Sequence, residues 1–271
     1  MPSRLPAKAT RVAVLLLLLA VVAMWASSRT SARLSRTGWD RPVTLAVLVL
    51  GQPSPAAMAR LHDALDGLGK RLSAERARHA PGAIGESFVV ELVGPLQPER
   101  LPPVTSPGPG PLARLGHAFD LWRAARAAHA AAPDFVPGAW DVRVYLLAAA
   151  DDEEAPRFAE GIGELGGEVG VVRAGFGGGG ATLAAAAVFH EAFHCLGASD
   201  KYDDRGHALL PQGLAEPGLQ PIFPQRLAEL MVGEVALAPG SGRLPNSVAE
   251  VGVGPVTASE IGWLPPPPPA Y

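Results

Sequence analysis

Residues 182–200 read TLAAAAVFHEAFHCLGASD, and this stretch decides how the rest of the chain is interpreted. Its first fifteen residues are mostly Ala, Leu, Val and Phe and include no Gly or Pro, which predicts a buried helix over Thr182–Leu196. Gly197 follows directly, and a helix commonly ends at a glycine in the left-handed conformation. The sequence therefore predicts an apolar helix that stops in a sharp turn.

Three ionisable side chains interrupt this apolar helix in the pattern H-E-x-x-H. His190 and His194 are four residues apart, so they lie on one face of the helix and reach one metal ion at about 2.0–2.1 Å. Glu191 is rotated by about 100° from His190, faces the water that the metal activates, and can take its proton. Burying three such groups without partners costs several kcal/mol, which favours a metal site over a solvated helical turn.

A third metal ligand is expected just beyond the turn. Asp200 follows His194 by six residues, and zinc accepts a carboxylate oxygen at about 2.0–2.2 Å. The rival third ligands are His207, Asp203 and Glu216. Tyr202 and Asp203 either orient a ligand and donate to an oxyanion, or belong to a surface turn. Cys195 is expected to be a small buried apolar residue rather than a ligand.

The longer string HEAFHCLGASD fits H-E-x-x-H-x-x-G-x-x-D and resembles the metzincin zinc peptidases, in the snapalysin-like variant with Asp as third ligand. The resemblance implies an α+β, zincin/metzincin-like fold with a twisted mixed sheet, an active-site helix and an irregular C-terminal subdomain. It also implies a methionine turn beneath the metal, for which Met231 is the candidate, with ordinary core packing as the alternative. The segment DKYD with AEP and Met231 also looks like a group of uncharacterised bacterial proteins.

The strands and helices before this motif alternate. Strands are predicted at Val43–Leu50, Phe88–Val93, Val142–Ala148 and Glu168–Ala174, the last as an edge strand that binds an extended substrate. Helices are predicted from Ser54-Pro55 to about Ala80 and over Leu112–Ala132, with short helical pieces at Pro224–Met231 and Ala258–Trp263.

A glycine motif at Gly175–Gly180 also fits the dinucleotide-binding pattern G-x-G-x-x-G. In that fold an acidic residue stands at the end of the following strand, but no strand is predicted between the helix and Asp200. We therefore interpret the glycines as a flexible connection.

The N-terminus carries fifteen uncharged, mostly apolar residues, Val12–Ala26, after Arg4, Lys8 and Arg11. Residues 1–28 are interpreted as a signal anchor or a cleaved signal peptide, 29–41 as a linker, 42–263 as the metallopeptidase-like domain and 264–271 as a proline-rich tail. Either interpretation of the first segment predicts an extracytoplasmic (periplasmic or secreted) domain, and the anchor predicts attachment to the membrane by one transmembrane helix.

The composition excludes several classes of protein. A net charge of −3 lacks the basic footprint of nucleic-acid binding, and a single cysteine excludes a disulfide scaffold. The H-E-x-x-H motif and the resemblance to metzincins imply a zinc-dependent endopeptidase acting on a peptide or protein substrate. The alternatives are a membrane-tethered zinc protein of the same fold with a binding or regulatory role, and a nucleotide-binding or structural domain.

Overall fold

The structure, a computed structural model, describes residues 7–149, 159–175 and 179–265. Within these residues the chain forms a five-stranded mixed sheet covered by helices on both faces, followed by a C-terminal part of short strands. The helices are α1 Ala7–Thr37, α2 Pro55–His79, α3 Pro111–Ala130, α4 Gly180–Leu196 and α5 Pro255–Glu260. The strands are β1 Val43–Leu50, β2 Phe88–Leu96, β3 Val142–Ala148, β4 Ala159–Gly163, β5 Val169–Ala174, β6 Ala228–Glu229, β7 Val235–Ala238, β8 Ser241–Arg243 and β9 Val251–Gly252.

The order of strands in the main sheet is β2-β1-β3-β5-β4, and only β4 runs antiparallel to its neighbour. The strand β1 (VTLAVLVL) lies between two parallel neighbours and is buried on both faces, as a continuous apolar run predicts. The mixed sheet and the helix α4 that follows β5 confirm the prediction of an α+β fold with a mixed sheet. The predicted edge position of Glu168–Ala174 is wrong, because β4, which was not predicted, pairs with β5 and takes that edge.

The two faces of the sheet bury separate cores. Alternate residues of β1, such as Leu45 and Val47, pack with α2 and α4, whereas Ala46 and Leu48 face α3. Side chains that alternate along a strand point to opposite faces, so one apolar strand supports both layers. The helix with the H-E-x-x-H motif consequently lies in the larger core, against β5.

The helix α2 begins as predicted. The Ser54 side chain accepts a hydrogen bond from the backbone N–H of Ala57 at 3.1 Å, and Pro55 occupies the first helical position. Near the other end of α2, the buried carboxylate of Glu75 accepts the Val253 N–H at 3.0 Å and pairs with Arg78 at 2.7 Å. These bonds attach the C-terminal part of the chain to α2, which packs on the main sheet.

The predicted transmembrane anchor is wrong. In the part of the chain that the structure describes, no helix combines the length and apolar character that crossing a bilayer requires. The fifteen residues Val12–Ala26 rise only about 22 Å, against a hydrocarbon core of about 30 Å. The membrane-anchored location that was inferred from them is wrong for the same reason.

The predicted linker at residues 29–41 is largely helical, since α1 continues to Thr37. The guanidinium of Arg36 is buried and donates to the Gly167 carbonyl at 2.8 Å. The indole of Trp39 is also buried and donates to the Ile261 carbonyl at 2.7 Å. This segment therefore packs against the domain.

The C-terminal third is mostly irregular, as predicted, but the helix expected at Pro224–Met231 does not form. That segment contains β6 and a tight turn, in which Val232 and Gly233 donate to the Glu229 carbonyl. The short helix expected at Ala258–Trp263 is present as α5, about one turn earlier. Of the glycine motif and the proline-rich tail, residues 176–178 and 266–271 lie outside the described part of the chain.

Candidate metal centre

The end of α4 orients His194. Gly197 has φ = 109°, and its N–H bonds the His194 carbonyl while the Ala198 N–H bonds the Phe193 carbonyl, both at 2.9 Å. This is the double hydrogen bond of a glycine-terminated helix. It directs the Ala198 carbonyl back at the helix, where it accepts a bond from His194 Nδ1 at 2.8 Å. The glycine predicted to end the helix therefore also sets the orientation of the imidazole.

The turn around Met231 orients His190. The carbonyl of Leu230 accepts a hydrogen bond from His190 Nδ1 at 3.0 Å. Met231, which follows, is fully buried, and its carbonyl accepts the N–H of Lys201 at 3.1 Å. The buried carboxylate of Glu229 closes the turn by accepting the Met231 N–H. The turn around Met231 thus contacts both the histidine helix and the loop that carries Asp200.

Asp200 faces both histidines. Its Oδ1 lies 3.1 Å from His190 Nε2 and 3.2 Å from His194 Nε2. Zinc bonds of 2.0–2.1 Å in a tetrahedron separate neighbouring ligand atoms by about 3.3 Å. The two distances from Asp200 Oδ1 to the imidazole nitrogens are therefore close to the separation of neighbouring ligands around a tetrahedral metal ion.

The chemistry of this donor set also fits a cation. Because a carbonyl oxygen accepts the hydrogen of each Nδ1, each neutral imidazole presents a lone pair at Nε2, and Asp200 Oδ1 is a third acceptor. Three acceptors at this distance repel one another unless protons or a cation lie between them. A divalent cation satisfies all three at once.

The charges of Asp200, His190 and His194 shift the pKa values of the site. Burial by itself would raise the pKa of Asp200, but its hydrogen bonds with His190 and His194 outweigh burial and hold that pKa well below its ordinary value. Burial disfavours the charge on His190, yet the bond with Asp200 and the nearby charge of Glu191 raise the pKa of this imidazole. The site stabilises positive charge between the histidines and the carboxylate.

Glu191 occupies a closed space next to these ligands. It is 4% exposed, and its Oε2 atom has no hydrogen-bond partner in the described part of the chain. A Cβ on Gly163 would lie 2.7 Å from that oxygen, and one on Gly170 would lie 2.8 Å from Glu191 Cβ. A Cβ on Gly161 would overlap the carboxylate. Burial raises the pKa of Glu191, which makes the carboxylate a stronger base.

Both Glu191 and Asp200 compete for the role of third ligand. His190, Glu191 and His194 form a cluster whose ligand atoms lie within 4.8 Å of one another. Asp200 is closer, at 3.1 and 3.2 Å from the two Nε2 atoms, and Glu191 leaves the helix on a different side toward β4 and β5. The distances favour Asp200 over Glu191 as the third member of the donor set.

The structure places Tyr202 at the site. Its ring stacks on the His190 ring with centroids 6.4 Å apart. Burial and the negative charge of Asp200 raise the pKa of Tyr202 to about 12, so the phenol stays protonated and can donate a hydrogen bond.

The other candidate residues have different partners. Asp203 is exposed and accepts the backbone N–H groups of Arg205 and His207, which makes it a turn residue. His207 Nδ1 lies 3.4 Å from the Glu234 carboxylate, and Glu216 pairs with Arg226. Cys195 is fully buried, and burial raises the pKa of its thiol to about 12. These contacts give none of the four a place in the donor set.

A cleft of about 390 Å³ borders His190 and Glu191. Ala159, Glu160 and Gly161 of β4 form one wall, and Tyr202 and Gly206 belong to another. The lining also includes His190, Glu191 and the apolar side chains of Leu183, Ala187, Leu230, Val232 and Leu244. The edge strand of the sheet therefore borders the site.

Sequence reasoning missed β4 and the bonds that brace the Asp200 loop. The segment AEGIG of β4 has no apolar run, and its signal was the Gly166-Gly167 pair that separates it from β5, a cue for a hairpin.

Lys201 is 3% exposed, and its ammonium bonds Ser199 Oγ at 2.8 Å and Glu260 at 2.7 Å. The Glu260 carboxylate also accepts the Ser199 N–H at 3.0 Å. Because Glu260 lies 60 residues beyond Asp200, no local pattern revealed this contact.

Comparison of the chain with protein-family models, with curated proteins and with solved structures found no match. The function is therefore argued from the site itself.

Proposed function

We propose that the protein is a zinc-dependent endopeptidase of the metzincin type, with His190, His194 and Asp200 as its metal ligands. The observation that carries the proposal is the meeting of two Nε2 atoms and one carboxylate oxygen at 3.1–3.2 Å beside a buried glutamate. An antiparallel edge strand bordering a histidine helix is compatible with this type of peptidase.

Zinc at this position would supply a Lewis acid that polarises a scissile carbonyl and lowers the pKa of water toward about 7. Glu191 takes the proton of the attacking water and passes it to the leaving amine. Its raised pKa suits both transfers, because the carboxylate must accept and then release a proton near neutral pH. Tyr202, as a protonated phenol at the cleft, donates a hydrogen bond to the developing oxyanion.

The substrate is an extended peptide that pairs with the outer edge of β4. In the described part of the chain, β4 is bonded only to β5, so its other edge carries backbone groups available for pairing. Leu183, Val232 and Leu244 in the lining favour an apolar side chain next to the scissile bond.

The decisive experiment is Glu191→Gln, assayed with a peptide library. Because the amide keeps the size of the side chain but is not a base, we expect unchanged zinc content and a loss of hydrolysis of about 10²–10⁴-fold. The matched control is Glu99→Gln, which alters an exposed glutamate outside the lining of the cleft and should keep activity within a few-fold. Hydrolysis by Glu191→Gln at the wild-type rate, or a wild-type protein without zinc affinity, would reject the proposal.

A further inference from the structure

A second cavity, of about 660 Å³, lies on the opposite face of the sheet from α4. It separates α3 from β3, β4 and β5, and α3 buries only Ala124 and Ala128 of its 20 residues. The small side chains of Ala118 and Ala125 face the gap, so α3 does not fill it. Its volume falls within the range of about 300–1,000 Å³ that is typical of small-molecule sites.

Most of the lining is apolar. The cavity is bordered by Leu121 and Trp122 of α3 and by Ile162, Val169 and Val171 from the hairpin of β4 and β5. Water beside these apolar side chains lacks the two to four polar partners that hold it in place. The lining therefore suits an apolar body.

One side of the cavity is polar. Arg143 donates to the Pro137 carbonyl at 3.1 Å and to Glu168 at 2.9 Å, but its buried Nε has no partner among the described residues. A buried guanidinium donor without an acceptor costs free energy, which an oxygen atom of a ligand would recover. Glu168 is also shared with Arg36, at 3.8 Å, so it balances only part of the positive charge here.

Four further polar side chains belong to the lining: His117, His129, Tyr145 and Glu164. The Tyr145 hydroxyl and His129 Nε2 bond each other at 2.9 Å, and burial raises the pKa of Tyr145 to about 12 and lowers that of His129. Glu164 also belongs to the lining and has interactions of its own. Tyr145, His129 and Glu164 already have partners. The Arg143 Nε, which has none among the described residues, is the donor to be satisfied, and the His117 ring lies in the same lining.

We propose that this cavity binds an aliphatic carboxylate, with the carboxylate at Arg143 and the chain between α3 and the sheet. The site is separate from the metal centre, on the other face of the sheet, and does not depend on the peptidase assignment. The head group of the ligand must be an anionic acceptor, because the unpaired group of the protein is the Nε–H of the Arg143 guanidinium. Charge-assisted hydrogen bonds of this kind are stronger than those between neutral groups.

The test is calorimetric titration of the whole protein with decanoate and with decan-1-ol, both below the concentrations at which they aggregate. We expect decanoate to bind at least tenfold more tightly than decan-1-ol. The variant Arg143→Met should bring decanoate binding down to that of the alcohol. Equal affinity of the two ligands for the wild type, or no binding of decanoate, would overturn the proposal without any variant.

A filling variant locates the binding site. We expect Ala125→Trp to abolish decanoate binding, because the indole occupies the cavity, whereas Ala130→Trp on the exposed end of the same helix should bind as the wild type does. Thermal melting and circular dichroism confirm that both variants fold. Binding that Ala125→Trp leaves unchanged would place the ligand elsewhere and refute this site; the two-ligand comparison stands even if that variant does not fold.

Discussion

Asp200 is the residue on which the donor set depends, because it supplies the only carboxylate oxygen within 3.2 Å of both imidazoles in the described part of the chain. We expect Asp200→Asn to weaken zinc binding at least about 100-fold, or about 2.8 kcal/mol, since a neutral amide replaces an anionic ligand. Competition with a chromophoric chelator measures this affinity.

Two matched variants separate the role of Asp200 from its rivals. Asp203→Asn changes a neighbouring exposed aspartate that only caps a turn, and His207→Ala removes the histidine that faces Glu234. Both should bind zinc within about threefold of the wild type. A larger loss in His207→Ala than in Asp200→Asn would transfer the third ligand to His207.

Gly163 tests how closely β4 approaches the site. A methyl group there would lie 2.7 Å from Glu191 Oε2 and 2.8 Å from His194 Cβ, so β4 or Glu191 must move. We expect Gly163→Ala to lower the free energy of unfolding by about 1–3 kcal/mol, as overpacking does. Denaturant titration of the protein measures it.

The control for this variant is Gly218→Ala, where a Cβ meets nothing within 4 Å. This substitution should change stability by no more than about 0.5 kcal/mol. If Gly163→Ala is equally mild, β4 does not lie as close to Glu191 as the structure places it.

At the scale of elements, the loop after α4 is held by α5. The Lys201 ammonium and the Glu260 carboxylate bond Ser199, so both neighbours of Asp200 in the chain are fixed. We expect Lys201→Met to reduce zinc affinity about 10–100-fold, the usual effect of removing a group that orients a ligand. The Co²⁺-substituted protein should show an altered visible spectrum, which reports the geometry of coordination.

Lys70→Met is the matched control, because Lys70 forms an exposed ion pair with Asp66 on α2. It should leave both the affinity and the Co²⁺ spectrum unchanged. Glu260→Gln should resemble Lys201→Met, since it removes the other half of the same contact. A Lys201→Met protein with the wild-type spectrum and affinity would show that Asp200 needs no support from α5.

Elements differ in how far their sequences determine them. The strand β3 and the helix α4 were predictable because each has a long apolar pattern and a clear end, at Ala148 and at Gly197. The segment 159–163 was not, because its two glycines leave space for Glu191 and His194 instead of building an apolar strand. The role of this strand therefore depends on the side chains of α4 that pack against it.

At the scale of the whole molecule, one carboxylate joins the starts of β1 and β3. Asp141 accepts hydrogen bonds from the N–H and the hydroxyl of Thr44 at 2.9 and 3.0 Å and pairs with Arg41 at 2.6 Å. Burial by itself would raise the pKa of Asp141, but these contacts outweigh it and lower that pKa below its ordinary value of 3.8. A lowered pKa in the folded state means that the ionised form stabilises the fold.

We expect Asp141→Asn to lower the free energy of unfolding by about 1.5–3 kcal/mol at neutral pH, the cost of losing hydrogen bonds to a charged group. The stabilisation by Asp141 is complete above pH 3.8, its value in the unfolded chain, and is lost as the pH falls below that value. The difference between the wild type and the variant should therefore shrink in acid. Urea titrations at several pH values measure it.

The control is Asp63→Asn, whose side chain is 86% exposed, and it should not change stability by more than about 0.5 kcal/mol at any pH. A difference between wild type and Asp141→Asn that stays constant down to pH 2 would contradict the linkage to ionisation of Asp141.

The sequence alone determined the α+β class, most of the main strands and helices, and His190, Glu191, His194 and Asp200 as the candidate residues. These features are local: helical spacing places two imidazoles on one face, and a glycine ends the helix just before the aspartate. The apolar stretch of α1 was misread as a membrane anchor, because its fifteen residues rise only about 22 Å and no helix in the described part of the chain is long and apolar enough to cross a bilayer.

Only the tertiary structure decided which strand borders the site, which carbonyls orient the imidazoles, and what holds the Asp200 loop. Leu230 and Glu260 lie 40 and 66 residues beyond His190 and His194, respectively, and contacts over such distances arise from the packing of whole elements. The cavity under α3 has the same origin, since it is a gap between layers and no single segment encodes it.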